Sequence, residues 1–409
     1  MYSAYPFPIK VKSTSRTISV PLIAFFLLFP GFFLYHTLVG LGGLRPYLGG
    51  YFTIASIALF LPLIYSHFAR VRRREDRVSS IDLAFALFLI YFFLIVVINT
   101  IFGANAATAR THLLSILYLV NIYIIFRMLD FSGGGTFRMV FASLLIMSAI
   151  IFVFSKDGSF QPGQIGSHQN PDSAVTYQGF ARSYVVTFVA VMSFTKSLPG
   201  RLTLYIIVVF ALFLNGSRSE LIAVIFLIPI VEIYRARSGF HTGCIVLLLL
   251  GLGTVGIRYV MDGLPENRVW ELFDLSHSES AVSRYNLTQR ALHTIAEHPL
   301  LGDYASYSPG AYSHNILSAW VDLGFFGFIY LLYMLAQAAI SLYIKGWRLK
   351  AQSSHFLLAW ILICMSLLLL MTSKTFDDMF TGAAMGAYAN YRYRMRRANA
   401  LPRKLGIEK

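Results

Sequence analysis

Apolar runs of about 20 residues, each closed off by a polar or basic turn, recur along almost the whole chain, and nothing else constrains its fold as strongly. One of them, "IDLAFALFLIYFFLIVVINTIF" (81–102), carries a single charge. As a helix, such a run rises by about the 30 Å of a bilayer's hydrocarbon core. Spans are predicted near 19–41, 50–67, 82–102, 112–130, 139–155, 176–195, 202–215, 219–234, 242–260, 314–342, 355–372 and 376–391. The expectation is an all-α polytopic membrane protein with about twelve transmembrane helices, residues 1–409 forming one transmembrane domain. Composition agrees: 13% of residues are charged, against about 25% in a soluble domain that must wet its surface. The first run follows Lys10, Lys12 and Arg16 as a signal peptide would. It is too long for a signal h-region and lacks a small-x-small cleavage site, so it reads as a retained span.

The net charge of +15 would suggest nucleic acid in a soluble protein. In a membrane protein its distribution reports orientation instead, because Lys and Arg gather on the cytoplasmic side. "RVRRREDR" (70–77), 196–201, "RAR" (235–237), 345–350 and "RYRMRR" (392–397) fall on one side when the spans alternate. Both termini are therefore expected in the cytoplasm. Cys244 and Cys364 lie in predicted spans without metal-ligand spacing and read as small packing residues.

Two substantial loops are then external, 156–175 and 261–313. The second is far longer than a usual connection and is expected to hold short helices of its own. Within it, "SRYNLTQRALHTIAEH" places Leu287, Ala291, Ile295 and His298 along one side of a helix, which Pro299 and Gly302 end.

The same topology collects unusual polar residues at the external side. Arg218 stands at the outer end of the eighth predicted span, Arg284 and Arg290 in the large loop, His314 and Asn315 at the head of the tenth, and Lys374 with Asp377 and Asp378 before the last. Arg182 lies about one turn into the sixth. Singly, each arginine reads as a side chain snorkelling to headgroups, His314 as a solvated interfacial residue and Asn315 as a helix cap. Together they crowd cations onto the side that the chain otherwise depletes, and ionisable groups bordering spans mark substrate paths. Arg218 and Arg284 suit a phosphate-rich anion, and a neutral His314 can take a proton from an attacking hydroxyl. That set describes a group transfer in which a diphosphate leaves and an alcohol attacks. No P-loop, nucleophile elbow, HExxH motif or metal-ligand cluster competes with it.

"SHNILSAWVDLGFFG" (313–327) resembles the signature of the O-antigen ligase and polymerase superfamily: a His-Asn pair, an apolar stretch with an acidic residue, then Gly324 and Gly327. "SRS" (217–219) before an apolar run, and Arg284 before a helix ending in "HPLLG" (298–302), are similar to two further elements of that superfamily in the same order. The resemblance covers about half the chain. It implies a GT-C-like glycosyltransferase of the bacterial inner membrane, working at the periplasmic face without metal or cofactor and inverting the anomeric carbon. The implied donor is a glycan on undecaprenyl diphosphate; the acceptor is a second lipid-linked glycan (polymerase) or lipid A core (ligase). By the same resemblance His314 is the base, and Arg218 and Arg284 hold the diphosphate; Arg290, which is outside the family's pattern, and Asn315, Arg182 and Lys374 are candidate substrate contacts from their position on the external side. Eight residues, Ile316 to Leu323, separate the His-Asn pair from Gly324 where ligases have nine, which leans toward the polymerase branch. "LLGDY" in place of "LLGVG" adds Asp303. A protein oligosaccharyltransferase and an exporter of lipid-linked sugars are the remaining alternatives. The first is usually longer; the second should show symmetry between halves and charges at the midplane.

Overall fold

A computed structural model describes residues 19–45, 50–73, 77–160, 177–236, 243, 279–307, 312–347 and 353–404. These residues are helical almost throughout, the only bridge pairing among them being Lys156 with Ser159. The helices are α1 (Val20–Gly40), α2 (Tyr51–Arg72), α3 (Ser80–Ile101), α4 (Ala106–Met128), α5 (Gly134–Phe154) and α6 (Tyr177–Phe194). They continue as α7 (Leu198–Asn215), α8 (Arg218–Arg235), α9 (Glu279–Glu297), α10 (Leu317–Leu342), α11 (Ser354–Thr372) and α12 (Met379–Lys404). Eight of them, α1 to α5, α7, α10 and α11, are long and apolar enough to cross a bilayer, so the chain is a polytopic membrane protein. Helices α6, α8 and α12 cover their predicted spans but carry more polar residues. The predicted span 242–260 falls outside the described residues but for residue 243, as do most of loop 156–175, residues 261–278 and Trp270.

Local chemistry sets most boundaries. Ser79 and Asp82 form a reciprocal capping box at the start of α3, and Asn105 accepts the Ala107 N–H ahead of α4. Pro30 has no N–H to give, and α1 widens there into a π turn over Leu27–Gly31. Where α4 and α12 pack, the glycines of "GAAMG" (382–386) let the backbones touch. A Cβ on Gly386 would lie 2.4 Å from the Tyr123 carbonyl oxygen, and one on Gly382 would lie 2.9 Å from that of Leu119.

Helix α10 departs from the expected uninterrupted span. Gly324 adopts φ +70° inside it and breaks the helix. The turn after α9 fills the break: Phe325 N–H donates to the Leu300 carbonyl at 3.0 Å, and Asp303 N–H to that of Val321 at 2.8 Å. Gly302, also at positive φ, fits there because a Cβ would lie 2.3 Å from the Val321 oxygen. Gly327 lets α3 approach, since a Cβ there would lie 2.9 Å from the ring of Tyr91. Gly324 serves a loop instead of a neighbouring helix.

Of the long loop before α10, the described residues 279–307 hold α9, a 19-residue helix. Leu287, Ala291 and Ile295 do pack toward α10, against Tyr307, Leu317 and Val321, while His298 is exposed just beyond the helix end. Tyr304 and Tyr307 are buried rather than forming an interfacial belt. Tyr304 bonds Nδ1 of His112 at 3.0 Å, and Tyr307 donates to the Leu287 carbonyl.

Candidate functional site

The helices alternate in direction, so the bundle has two ends. One gathers the C-termini of α2, α4, α6, α8 and α12 with their basic turns. At the other, α6, α8 and α12 begin, α7 and α11 finish, and α9 lies against the head of α10. The sequence-predicted site residues concentrate at this second end.

His314 sits three residues ahead of α10, half-buried, its ring 4.5 Å from that of Tyr312. Its imidazole hydrogen-bonds the Ser373 carbonyl, so the bonded nitrogen carries the proton and the other is left as an acceptor. Burial, with the like charge of Arg284 and then Lys374, pushes the imidazole down to about 4, and it is neutral at pH 7. A neutral, oriented imidazole is the form a general base needs.

Arg284 reaches this site from α9. Arg284, Thr288, Ala291 and Ile295 repeat at helical spacing on the face turned toward α10. Thr288 donates to the Arg284 carbonyl at 2.9 Å and accepts from the Asn315 amide at 3.3 Å. Asn315 also accepts the Leu317 N–H and the Ser313 hydroxyl. Both ends of its amide are thus committed to joining α9 to the start of α10, which makes it a positioning residue and the helix cap it resembles.

Arg218 opens α8, half-buried, in the "SRSE" turn (217–220). Both serine hydroxyls of that turn donate to Oε2 of Glu220, which is wholly buried, and Lys374 Nζ lies 2.7 Å from its Oε1. Arg182 pairs with Asp378 at 3.1 Å, and Glu220 and Asp377 add further negative charge around it. Asp378 simultaneously caps α12 by accepting the Phe380 N–H. The two cations expected to contact substrate, Arg182 and Lys374, therefore each have a carboxylate partner already. Arg290 does not join the site: it donates to the Ser306 carbonyl and lies 5.1 Å from the ring centre of Tyr307, bracing the turn. Asp322 meets the Ala305 N–H at 3.2 Å, with His112 as its nearest cationic influence, instead of a Lys or Arg among the described residues.

The site is recessed. Phe376, between Lys374 and Asp378, packs at 4.9 Å against Phe92, nine residues below the end of α3, or about 13 Å of helical rise. Polar atoms at this depth are left unbonded among the described residues: Nε of Arg182, Oγ of Ser373 and both amide atoms of Asn215, the last at the end of α7 ahead of "SRSE". Buried donors and acceptors without partners are rare in folded proteins; others lie away from this end, on Asn121, Arg235, Trp360 and Tyr391. Glu220 was legible as a carboxylate inside a predicted span, the usual mark of a functional group in a membrane protein. Asn215 and Ser373 carry no such signal, because burial alone distinguishes them from capping residues.

No group of three or more His, Cys, Asp or Glu side chains among the described residues could hold a metal ion. No family model, curated protein or solved structure matches the chain.

Proposed function

We propose that the chain is a GT-C-like glycosyltransferase that moves a glycan from undecaprenyl diphosphate to an acceptor hydroxyl, most simply as a polysaccharide polymerase. The observation that carries the reading is His314, neutral and held by the Ser373 carbonyl with Arg284 beside it, at a recessed end of a membrane bundle. The acceptor hydroxyl attacks the anomeric carbon as its proton passes to the free nitrogen of His314. The new carbon–oxygen bond forms as the bond to the diphosphate oxygen breaks, and undecaprenyl diphosphate leaves with the electron pair. Arg284 and Arg218 stabilise the departing charge. Arg182 and Lys374 are already paired with Asp378 and Glu220, so the diphosphate is assigned to Arg284, beside His314, and to Arg218 at the head of α8.

On this reading the chain has twelve spans and cytoplasmic termini, and the site faces the periplasm from a bacterial inner membrane. The described chain leaves α8 at the basic end and re-enters in α9 at the other, which supports the count. An exporter is favoured less, since His314, Arg284, Arg218, Arg182 and Lys374 stand at one end rather than at the midplane of broken helices.

Purified protein in detergent with an undecaprenyl-diphosphate-linked glycan as sole substrate tests the proposal. A ladder of longer lipid-linked glycans, absent with His314→Ala, supports the polymerase. Turnover only on addition of lipid A core reassigns it as a ligase. No turnover under either condition, with donor carried across proteoliposomes instead, replaces the enzyme with an exporter.

A further inference from the structure

The turn that fills the break in α10 has a second property. Leu300 and Leu301 project from it with 61% and 80% of their surface uncovered. Two independent gauges fix their depth. Phe325, whose N–H bonds the Leu300 carbonyl, lies just past the break, beyond the first two turns of α10. The Leu323 carbonyl, freed where the helix breaks, accepts from the hydroxyl of Tyr91, which stands at the middle of α3, the most apolar of the described spans.

Irregular backbone is tolerated at such depth only where its polar groups are satisfied within the protein. Most of this turn's backbone groups meet that condition. Pro299 has no N–H, and its carbonyl accepts from Nε1 of Trp320 at 2.7 Å. The Leu300 carbonyl accepts from Phe325, Gly302 N–H donates to the His298 carbonyl, and Asp303 N–H donates to that of Val321. The exposed leucines continue the outward apolar face of α10, where Phe326 is 62% uncovered and Ile329 and Tyr333 follow.

We infer that residues 298–303 form a re-entrant wedge whose Leu300 and Leu301 side chains lie among the acyl chains of the surrounding bilayer. The wedge follows directly on α9, so it fixes the height of that helix, and of Arg284, against the membrane. The inference stands on depth and hydrogen bonding and does not depend on the reaction proposed above.

Spin-label accessibility of the full chain in proteoliposomes tests it. Single cysteines replace Leu300, Leu301, Phe326 and His293 in a Cys244→Ser, Cys364→Ser background. Each nitroxide is then exposed to oxygen, which concentrates in hydrocarbon, and to a water-soluble nickel chelate. Phe326→Cys is the lipid-facing control, and His293→Cys, on the open side of α9 with 73% of its side chain uncovered, is the aqueous one. Leu300→Cys and Leu301→Cys are expected to match Phe326→Cys, accessible to oxygen and shielded from nickel. Nickel accessibility matching His293→Cys overturns the inference in favour of a water-facing turn. Shielding from both reagents overturns it in favour of a protein cover, such as a second copy of the chain.

Discussion

The two ends of the bundle both bury charge, but they treat it in opposite ways. At the basic end Asp82 accepts from the Ser79 N–H and hydroxyl, the Tyr123 hydroxyl and Nε of Arg127, all at 2.6–2.9 Å. Glu232 there takes both Nε and Nη2 of Arg201 and the hydroxyl of Tyr205. Asp130 is shared among Ser132, His355 and Arg394, which hold its carboxyl well below the usual carboxylate range although burial opposes them. At the opposite end the pairs Arg182–Asp378 and Lys374–Glu220 also form, yet Asn215, Ser373 and one edge of Arg182 are left without bonds, and His314 keeps an acceptor nitrogen open. A saturated carboxylate can only hold helices together. An unsaturated polar group at similar depth has somewhere to put a ligand. Charge burial alone therefore does not single out either end, and unbonded atoms occur at the basic end too, on Arg235 and Tyr391; the contrast lies in the saturated carboxylates of one end and the open imidazole nitrogen of the other.

Substitutions that hit one end without the other separate these roles. His314→Ala should reduce glycan transfer about 10²–10⁴-fold, the usual share of a positioned base, with thermal unfolding of the purified protein unchanged. A parallel loss of stability would move His314 into the structural class. Arg127→Met should do the reverse. It strands Asp82 in a site with 1% exposure on the arginine side, and stability measured by denaturation in detergent should fall by about 3–5 kcal/mol.

Gly324→Ala tests the junction between the ends. A side chain at φ +70°, with its Cβ 2.5 Å from the Leu300 oxygen, should cost more than about 1 kcal/mol and detach the turn from α10. Proteolytic sensitivity of residues 298–303 is the readout. The pH profile gives a smaller but sharper signal. His314 in the folded protein is pushed down to about 4 from an ordinary value of 6.5, so between those pH values the unfolded chain binds the extra proton and the folded one does not. Stability contributed by the neutral ring is therefore complete above 6.5 and falls as pH drops toward 4. The acid limb of transfer should sit near 4, and Arg284→Ala, by removing a like charge, should raise it whatever remains of the rate. An acid limb already at 6.5 would mean that His314 is solvated like a surface residue. Arg290→Ala should have the least effect, about 1 kcal/mol from one hydrogen bond and one ring contact, with transfer unaltered.

The one-dimensional pattern of the chain was enough for the helical membrane class, for the alternating direction of the helices, and for drawing His314, Arg284, Arg218, Arg182 and Lys374 toward one end. Those follow from hydropathy and the order of the spans, which fix where a residue stands along the membrane normal but not what surrounds it. Lateral neighbours were decided only by packing. Arg182 and Lys374 read as free cations until Asp378 and Glu220 arrived from other helices, and Arg290, alike in sequence to Arg284, turns toward Tyr307 and away from the site. Gly324 and Gly302, 22 residues apart, read as separate small residues, and only the folded chain sets Gly302 against the backbone of Trp320 and Val321 and Gly324 against that of Leu300 and Leu301. Composition and order carry depth, because the bilayer acts on every residue independently. Pairing, neutralisation and the break in α10 depend on which helices touch, and that is a property of the whole bundle.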